Sequence, residues 1–586
     1  MQTYKPPVDD MLFQLDAFGY GERVAKLEAF EAYDRETVEA LIRQAGAFGA
    51  EMSATNKAGD TEGIKWDAKT GAITTATGFK ETYDKMMEAG FVGLRSPEAY
   101  GGGGAPASVG TFITEMWSAA NKSLSMCPGL TAGLVEALVA AGSDEQKDFY
   151  LPKLISGEWA GTMCLTEPQC GTDLGLCRTK AVPHGDHFKL TGTKVWITFG
   201  EHDLTENIVH LVLARLPDAP EGIKGISTFI VPKVTPDGKP NHVKCTGVEH
   251  KMGIHGSPTC VIDMEGSEGW LVGEPHRGMR TMFVMMNEAR LLVGVEGIAL
   301  ADVSYQHALA YAKDRRQSRS LDPAKREKDQ PADNILVHPD VRRMLLNVKS
   351  TVEGMRGMAT YISVKLDLAH NHPDEAEREK ADDIVALLTP VVKGFNTEKG
   401  FQNIGDAMQV CGGSGYTADF NIEQYMRDSR IAMIYEGTNH IQALDLVGRK
   451  LPRHGGRLVK NFQSEVMALF GSCEGEKALE EFLHPTQKIF GALTEVTMEL
   501  GGRAMADAEQ AGAMASNYLN LFGYATLAFS WLRQCQYALE QKSPQTETKL
   551  KTARYFFAHV LPEAYALIPK IKAGKETMMA FDVAEF

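Results

Sequence analysis

A block of short runs of β-forming residues interrupts a sequence that is otherwise patterned for helices. Between residues 159 and 275, runs such as 195–198 and 208–213 alternate with glycine, proline and aspartate turns. On both sides of this block, apolar residues recur every three or four positions, which is typical of helices packed on a core. The order of the patterns predicts a mainly α protein with a central β domain, built as a small barrel or a sandwich.

The changes of pattern divide the chain into five segments. The start of the chain reads as irregular and polar. We predict an N-terminal arm (1–35), an N-terminal helical domain (36–158), a middle β domain (159–275), a C-terminal helical bundle (278–452) and an additional helical extension (453–586). A basic, proline-containing break at residues 315–333 is predicted to be an exposed loop.

Charge and composition exclude several classes of function. The chain of 586 residues has a net charge of −15, which disfavours a nucleic-acid or anionic-membrane surface. Its nine cysteines form no C-x-x-C pair and no zinc-type spacing, so we expect no metal site, no disulfide framework and a reduced, cytoplasmic environment. We see no secretory signal, and no apolar run approaching the ~20 residues of a membrane helix.

One glutamate late in the chain has the surroundings of a general base. Glu436 lies in the stretch Ile-Tyr-Glu-Gly-Thr-Asn-His of residues 434–440, between an apolar run and a predicted helix start. Asn439 and Gln442 have the spacing of a capping box. A carboxylate buried on such a turn is costly to ionise, so its pKa rises towards the range of a base acting near neutral pH. The alternative is a solvated turn glutamate.

The opening of the β domain has the chemistry of a ring- or phosphate-binding edge. In residues 163–173, Pro168 and Gly171 force a turn that leaves backbone N–H groups and threonine hydroxyls facing outward. Further on, strand alternation puts Trp196 and Thr198 on one face, an aromatic wall beside a hydroxyl. A generic turn and a core tryptophan are the alternatives.

The helical segments contain a second polar set. Asn287 and Arg290 are one helical turn apart and share a face. Arg315 ends a later helix and could grip a phosphate. The stretch Gly413-x-Gly415-x-x-Ala418 formally matches a dinucleotide fingerprint, but a helix and not a strand precedes it, so we reject a Rossmann site there.

Four motifs in register resemble the acyl-CoA dehydrogenase family. They are Leu-Thr-Glu-Pro with Gly-Thr-Asp (165–173), Trp-Ile-Thr (196–198), Gln-x-x-Gly-Gly (409–413) and Tyr-Glu-Gly-Thr (435–438). The likeness covers roughly residues 80–450, and the C-terminal extension resembles the large bacterial branch of the family. Two features depart from the common pattern: the pair Ser318-Arg319 stands where Phe-Gly is usual, and Ala289 stands where some relatives carry the base.

The resemblance implies an FAD-dependent dehydrogenase that acts on a short acyl-CoA thioester. Glu436 would remove the α-proton, and a hydride would leave the β-carbon for the flavin. Residues matching cofactor-contacting positions are Met163, Leu165, Thr166, Gly171, Thr172, Trp196, Thr198, Arg315, Gln317, Gln409, Gly412, Gly413, Thr438, Asn439 and His440. Residues matching substrate positions are Thr172, Asn287, Arg290, Tyr435 and Gly437.

The resemblance also implies partners. Arg315, Gln317, Gln409 and Gly413 match residues that reach the FAD of a neighbouring subunit, which implies a homo-oligomer, with a dimer favoured. An electron-transfer flavoprotein would accept the electrons. Three alternatives stay open: a general short- or medium-chain enzyme of β-oxidation, an acyl-CoA oxidase, and a non-catalytic acyl-CoA-binding protein of the same fold.

Overall fold

The structure is a computed structural model that describes residues 4–542 and 544–586, without the side chains of Asn287 and Glu288. Its internal contacts divide the chain into two units. One comprises Met1–Ala47, Pro106–Ala119 and Arg290–Phe586, and the other comprises Phe48–Ala105 and Ala120–Ala289. The first unit is helical, and the second combines helices with the β strands.

The β strands confirm the predicted central β domain. They are β1 (Lys65–Trp66), β2 (Ile73–Thr74), β3 (Trp159–Cys164), β4 (Lys180–His184), β5 (His187–Thr198), β6 (Asn207–Arg215), β7 (Ile226–Pro232), β8 (Val243–Val248) and β9 (Thr259–Val272). β1 and β2 form a separate antiparallel pair. Strands β6, β4, β5, β9 and β7 pair in that order, and β7 pairs again with β6, so the sheet closes into a small barrel. β3 joins β6 in parallel, and β8 pairs with β9.

The helices occupy the stretches predicted to be helical and also part of the predicted N-terminal arm, where α1 lies. They are α1 (Val8–Ala17), α2 (Arg35–Met52), α3 (Asn56–Glu62), α4 (Phe79–Glu88), α5 (Ala107–Ala120), α6 (Lys122–Ala141), α7 (Asp144–Ser156), α8 (Gly278–Asp314), α9 (Pro339–Asn371), α10 (Glu375–Cys411), α11 (Ile422–Arg430), α12 (Asn439–Asp445), α13 (Arg457–Cys473), α14 (Glu480–Ala506), α15 (Ala508–Gln541), α16 (Thr546–Tyr555) and α17 (Pro562–Lys572). The mainly α class and the helical extension are therefore confirmed.

Strand β6 is buried on both faces, which explains its continuous apolar sequence. Val209 and Leu211 belong to a core that also contains residues of α6 and α7. Val212 and Ala214, which point the other way, belong to the interior of the barrel with Phe229 of β7. One strand thus joins the barrel interior to the helical layer of the same unit.

The predicted irregular, polar N-terminal arm is wrong. Residues 8–17 form α1, and Met11 and Leu15 of this helix have no solvent exposure. Phe13 meets the ring of Tyr537 at 5.3 Å between centroids, and the Gln14 side chain donates to Gln534 Oε1 at 2.8 Å. Prolines and aspartates near the start suggested a solvated arm, but partners from α15, more than 500 residues away, cover this short helix.

Helix α6 corrects the expectation that the chain contains no apolar stretch of membrane-spanning length. Within the part of the chain that the structure describes, α6 is the one helix long and apolar enough to cross a membrane. Of its apolar window, 56% is buried inside the protein. Its partner is β3: the backbone N–H of Gly161 donates to Thr131 Oγ1 at 3.0 Å, and a Cβ at Gly161 would lie 2.8 Å from Leu134. Packing on the barrel accounts for the apolar composition.

The C-terminal extension packs on the bundle through small residues. A Cβ at Gly394 of α10 would lie 2.9 Å from Leu519 of α15, and a Cβ at Gly523 would lie 2.3 Å from Phe395. The two helices therefore approach at distances that only glycine permits. The extension thus buttresses α10, a helix that contributes to the site described below.

Candidate functional site

Glu436 lies in a strained turn between a 3₁₀ turn at Ile431–Met433 and α12. Its backbone φ is 56° and that of Gly437 is 84°, so two consecutive residues are left-handed. A non-glycine residue in this region costs about 1–3 kcal/mol and persists only when the surroundings hold it. Such outliers concentrate at functional sites, which makes the turn a candidate before any chemistry is considered.

The cap of α12 differs from the prediction. Thr438, not Asn439, is the capping residue, and its Oγ1 accepts the N–H of Ile441 at 3.3 Å. Gln442 does not complete a capping box; its side chain donates to the carbonyl oxygen of Glu436 at 3.1 Å. The helix begins one position earlier than the spacing suggested, and Gln442 is left to hold the turn.

Burial dominates the electrostatics of the base candidate. Burial raises the pKa of Glu436 to about 7, although Arg290 and Lys393 act to lower it and Glu296 acts in the same direction as burial. Its carboxylate accepts no hydrogen bond from any residue that the structure describes. Such a carboxylate is poised to take a proton near neutral pH. A solvated turn glutamate would not have this pKa, so the geometry favours the general-base interpretation.

A raised pKa alone does not identify a base. Burial also raises the pKa of Glu115 to about 7, yet its Oε1 accepts two hydrogen bonds from Arg356, at 2.9 and 2.6 Å. Glu115 is 1% exposed and lies within a regular helix. Glu436 differs because it is half-buried, lies on a strained turn and has no donor at its carboxylate.

The backbone at Glu436 offers unused hydrogen-bond donors. Within the described part of the chain, the N–H groups of Glu436 and Gly437 donate to no acceptor. Peptide N–H groups fixed in this way suit an oxyanion that develops on a neighbouring acyl oxygen. The turn therefore combines a carboxylate of raised pKa with hydrogen-bond donors.

The predicted substrate positions on this turn have defined neighbours. The Tyr435 hydroxyl donates a hydrogen bond to Glu296, and burial together with the charge of Glu296 holds the pKa of Tyr435 well above its usual range. Arg290 is 7% exposed and its Nη1 lies 3.6 Å from Asp445. The Asn287 side chain lies outside the described residues, so the predicted shared face with Arg290 stays a prediction.

In the β unit, a buried ion pair organises the segment 163–173. Lys194 is fully buried, and its Nζ donates to Glu167 at 2.8 Å and to the carbonyl of Leu165 at 2.9 Å. Glu167 also accepts from Thr179 and from the N–H of Arg178. Although burial alone would raise the pKa of Glu167, Lys194 and these hydrogen bonds hold it well below its usual range.

Trp196 lies on a distorted strand rather than in the regular alternation we predicted. The pairing of β5 with β9 shifts between Lys194 and Ile197, and Trp196 has a left-handed φ of 60°. The indole is 62% exposed, which excludes the core alternative, and Ile197 is buried. The N–H of Val195 donates to the carbonyl of Thr166 at 2.9 Å, so the segment 163–173 is joined to the strand at this bulge.

The other predicted flavin positions of this unit are accessible. Met163, Leu165, Thr166 and Thr198 are half-buried, whereas Gly171 and Thr172 are exposed. The hydroxyls of Thr166 and Thr198 make no hydrogen bond to any residue that the structure describes. An exposed indole face near free hydroxyls and a half-buried apolar edge fits a heteroaromatic ring with polar atoms at its rim, as in a flavin.

The predicted nucleotide-end residues lie at the surface of the helical unit. Arg315, Gln317, Gln409, Gly412 and Gly413 are all exposed. Arg315 Nη2 lies 3.5 Å from Gln317 Oε1, and Cβ atoms at Gly412 and Gly413 would meet nothing within 4 Å. The end of α8 lies beside the loop that follows the glycine turn, because the rings of Tyr311 and Phe420 meet at 5.9 Å between centroids.

The loop at 315–333 is mostly exposed, as predicted, but it has a buried centre. Asp333 accepts the N–H groups of Ser320 and Glu327, each at 2.7 Å, and Arg319 at 3.2 Å. Arg319, which belongs to the Ser318-Arg319 departure from the family pattern, therefore contributes to holding the loop.

The side chains of Asn439 and His440, which follow Glu436, form hydrogen bonds within the protein. The Asn439 side chain accepts from Lys393 at 3.1 Å and donates to the carbonyl of Gly394 at 3.1 Å. The exposed His440 shares a hydrogen bond of 2.9 Å with Ser516 of α15. Both side chains therefore have protein partners at the positions where flavin contacts were predicted.

Sequence reasoning missed Glu296 and Lys393 and gave Gln442 a different role, in a capping box. All three act on the turn, and Lys393 and Gln442 are fully buried. Of the two missed residues, only Lys393 gives a local signal: it is a lone charge inside the apolar run 384–395. A lysine in such a run is rarely fully buried unless paired, so it could have been singled out.

Four consecutive segments match known sequence families. Residues 62–158 match the acyl-CoA dehydrogenase N-terminal domain, 162–267 the middle domain and 276–451 the C-terminal domain. Residues 460–582 match a family described as acetyl-CoA dehydrogenase C-terminal like. The matches cover both the turn that contains Glu436 and the C-terminal extension.

Whole-length relatives agree with these matches. The chain is 40% identical to a 3-methylmercaptopropionyl-CoA dehydrogenase of Ruegeria pomeroyi, over 96% of this chain and 97% of the relative. It is 32% identical to the broad-specificity linear acyl-CoA dehydrogenase FadE5 of Mycobacterium tuberculosis, over the full length of both. A Bacillus anthracis acyl-CoA dehydrogenase solved with FAD has the same fold, with a TM-score of 0.73, 22% identity and coverage of 97% and 92%.

Proposed function

Because the chain belongs to the acyl-CoA dehydrogenase family of FAD-dependent oxidoreductases, we propose that Glu436 is the base that removes the α-proton of an acyl-CoA thioester. The observation that supports this role is the strained, half-buried turn, in which the pKa of Glu436 rises to about 7. The product would be a trans-2,3-enoyl-CoA.

The proposed chemistry needs more than a base. An α-proton is too weak an acid for a glutamate unless fixed donors stabilise the developing enolate oxygen. The unused backbone N–H groups of Glu436 and Gly437 are the donors we assign to that oxygen. FAD, when bound, supplies the acceptor for the hydride that leaves the β-carbon.

We further propose which residues hold the cofactor and substrate. The indole of Trp196 and the hydroxyls of Thr166 and Thr198 would hold the flavin ring, supported by their exposure and free hydrogen-bonding groups. Thr172, Arg290 and the turn itself would contact the acyl-CoA. The remaining cofactor positions of the family pattern are Met163, Leu165, Gly171, Arg315, Gln317, Gln409, Gly412, Gly413, Thr438, Asn439 and His440.

For the substrate we propose 3-methylthiopropanoyl-CoA, oxidised to 3-methylthioacryloyl-CoA in the breakdown of dimethylsulfoniopropionate. The support is the 40% identity over 96% of the chain to a relative named for that thioester. A sulfur atom is nearly isosteric with a methylene, and one methylene changes discrimination by only about 1–3 kcal/mol. A short straight-chain acyl-CoA is therefore the competing substrate, as in a general enzyme of β-oxidation.

Anaerobic titration of the purified yellow protein tests both levels of this proposal. The flavin absorbance is followed with 3-methylthiopropanoyl-CoA, butyryl-CoA and octanoyl-CoA in parallel. Preferential bleaching by the methylthio thioester supports the specific substrate, whereas bleaching mainly by octanoyl-CoA retains the dehydrogenase and rejects that substrate. Absence of bleaching by all three favours a non-catalytic acyl-CoA-binding protein.

We propose an electron-transfer flavoprotein as electron acceptor and a homodimer as the minimum assembly, in the cytoplasm. The exposed Arg315, Gln317, Gln409 and Gly413 support the dimer, since exposed polar and glycine positions are free to meet a second subunit's FAD. Rapid reoxidation of the substrate-reduced enzyme by air would instead favour an oxidase. Sedimentation of the holoenzyme measures the assembly, and a monomer that retains FAD would contradict the proposed dimer.

A further inference from the structure

We propose that Lys393 is a positioning residue for the base: its ammonium group holds the turn that presents Glu436 and, together with Glu296, sets the charge that the base meets. This role rests on the proposed assignment of Glu436 as the base. Lys393 has no counterpart among the residues that the motifs assigned to catalysis, cofactor or substrate.

Two side chains hold the two successive carbonyls of the left-handed turn. Lys393 Nζ donates to the carbonyl of Gly437 at 2.7 Å, and Gln442 Nε2 donates to the same oxygen at 3.2 Å and to the carbonyl of Glu436 at 3.1 Å. Because a peptide unit is planar, fixing these carbonyls also fixes the N–H groups of Gly437 and Thr438. Gln442 thus orients the Gly437 N–H, one of the two donors assigned to the enolate oxygen, and Lys393 fixes the next peptide unit of the same turn.

Lys393 is itself held by Asn439, which also bonds to other residues of α10. Its Nζ donates to Asn439 Oδ1 at 3.1 Å, and the Asn439 amide returns to the carbonyl of Gly394 at 3.1 Å. Thr397, one turn further along α10, also donates to Asn439 Oδ1 at 3.3 Å. Lys393, Asn439 and the neighbouring residues of α10 therefore form one hydrogen-bond network at the start of α12.

The surroundings of Lys393 point to positioning and not to an ordinary ion pair. It is fully buried and forms no salt bridge with a residue in the described part of the chain. Burial lowers the pKa of Lys393 to about 8, while Glu436 and Glu296 act to raise it and Arg290 to lower it. A buried ammonium whose direct acceptors are neutral oxygens is costly, and here those oxygens belong to the base turn.

Three charged groups act on Glu436 besides burial. Arg290 of α8 and Lys393 of α10 favour the carboxylate, and Glu296 of α8 favours the protonated acid. Glu296 is tied to the turn, since it accepts the hydroxyl of Tyr435. Removing Lys393 and removing the charge of Glu296 must therefore move the titration of the base in opposite directions.

Four variants of the holoenzyme separate hydrogen bonding from charge. Lys393→Met removes both, Gln442→Met removes only hydrogen bonds to the same carbonyls, and Glu296→Gln removes only the negative charge. Lys399→Met is the matched control, because Lys399 lies on the same helix but pairs with Glu563 at 2.6 Å. The measurements are kcat and kcat/KM for butyryl-CoA from pH 5.5 to 9, with FAD content and melting temperature recorded for each variant.

We expect Lys393→Met to lower kcat about 10²-fold, the cost of a misplaced catalytic group, and to move the acid limb of the pH profile up by about 1 pH unit. Gln442→Met lowers kcat without moving the limb. Glu296→Gln moves the limb down, and Lys399→Met changes neither. If Lys393→Met fails to fold, the Gln442 and Glu296 variants still decide the matter.

The inference is overturned if Lys393→Met matches Lys399→Met in kcat and in the position of the acid limb. It is also overturned if the limb stays fixed in Glu296→Gln and kcat is normal in Gln442→Met. A different result identifies failure of the base assignment itself: Glu436→Gln would then retain turnover, whatever the effect of Lys393→Met.

Discussion

Glu167 is buried and Glu436 is half-buried, and the two glutamates differ in how many hydrogen bonds the protein donates to their carboxylates. Glu167 receives hydrogen bonds from a buried lysine, a threonine hydroxyl and backbone N–H groups, and its pKa lies well below the usual range. Glu436 receives none from the described residues, and burial raises its pKa to about 7. The carboxylate of Glu167 is therefore held ionised by its donors, whereas that of Glu436 has no donor to stabilise its charge.

The difference separates a structural carboxylate from a reactive one. A saturated carboxylate has no reason to take a proton, so Glu167 serves to join the segment 163–173 to β5 and thereby supports Trp196. An unsatisfied carboxylate keeps its affinity for protons at neutral pH. Glu115 lies between the two, with a raised pKa but two donors from Arg356, which is why hydrogen bonding and backbone strain must be considered together.

The largest effect should follow from Glu436→Gln. We expect turnover to fall at least ~10²–10⁴-fold, because general-base catalysis is lost while the amide fills the same volume. FAD content should stay at the wild-type level. Steady-state assays with butyryl-CoA measure the loss, and a variant that retains more than about one per cent of the wild-type rate places the base elsewhere.

Removing a partner of Glu167, whose carboxylate is fully hydrogen-bonded, should lower the stability of the fold. Lys194→Met leaves Glu167 buried without its cation, which typically costs about 3–5 kcal/mol. The control is Lys244→Met, since the Lys244–Glu265 pair in the same sheet is exposed and such pairs contribute ~0–1 kcal/mol. Thermal unfolding measures both. Equal melting temperatures for the two variants would mean that the buried pair does not organise the barrel.

A smaller effect, on FAD affinity, is expected at Trp196, which lies beside the segment that Glu167 and Lys194 hold. Trp196→Ala removes an exposed aromatic face, so FAD affinity should fall about 2- to 10-fold, in line with ~0.5–1.5 kcal/mol for an aromatic pair. Val182→Ala, which also truncates an exposed apolar side chain of the barrel, is the control. Fluorescence titration of apoprotein with FAD measures both, and equal affinities would remove Trp196 from the flavin site.

The smallest effect concerns stability against pH, and its sign distinguishes the two glutamates. The lowered pKa of Glu167 stabilises the fold above the unfolded value near 4.5, and that stability is lost as the pH falls towards the folded pKa. The raised pKa of Glu436 destabilises the fold increasingly as the pH rises from 4.5 to above 7. Glu436→Gln should therefore raise the melting temperature by about 2 °C at pH 8 and leave it unchanged at pH 5. A rise of equal size at both pH values would contradict this sign.

The sequence predicts the fold class because its patterns are local. Helical and strand periodicities are visible within a few residues, and the motifs around Glu436 and Trp196 are contiguous. The features that the sequence did not predict depend on contacts between residues far apart in the chain or in different strands. α1 is covered by α15, Lys393 and Glu296 reach the base from 43 and 140 positions away, and Trp196 leaves the regular strand at a bulge with β9. Propensity and spacing do not encode such partners.

The central claim is that an unsatisfied glutamate acts as the base near neutral pH. Its most direct test is the second-order rate of anaerobic flavin reduction by butyryl-CoA, measured between pH 5 and 9 for wild type and Glu436→Gln. We predict a wild-type rate that rises with an apparent pKa near 7 and a rate in Glu436→Gln that is at least ~10² lower at every pH. A wild-type rate that is flat over this range, or a variant that reduces its flavin at the wild-type rate, would contradict the claim.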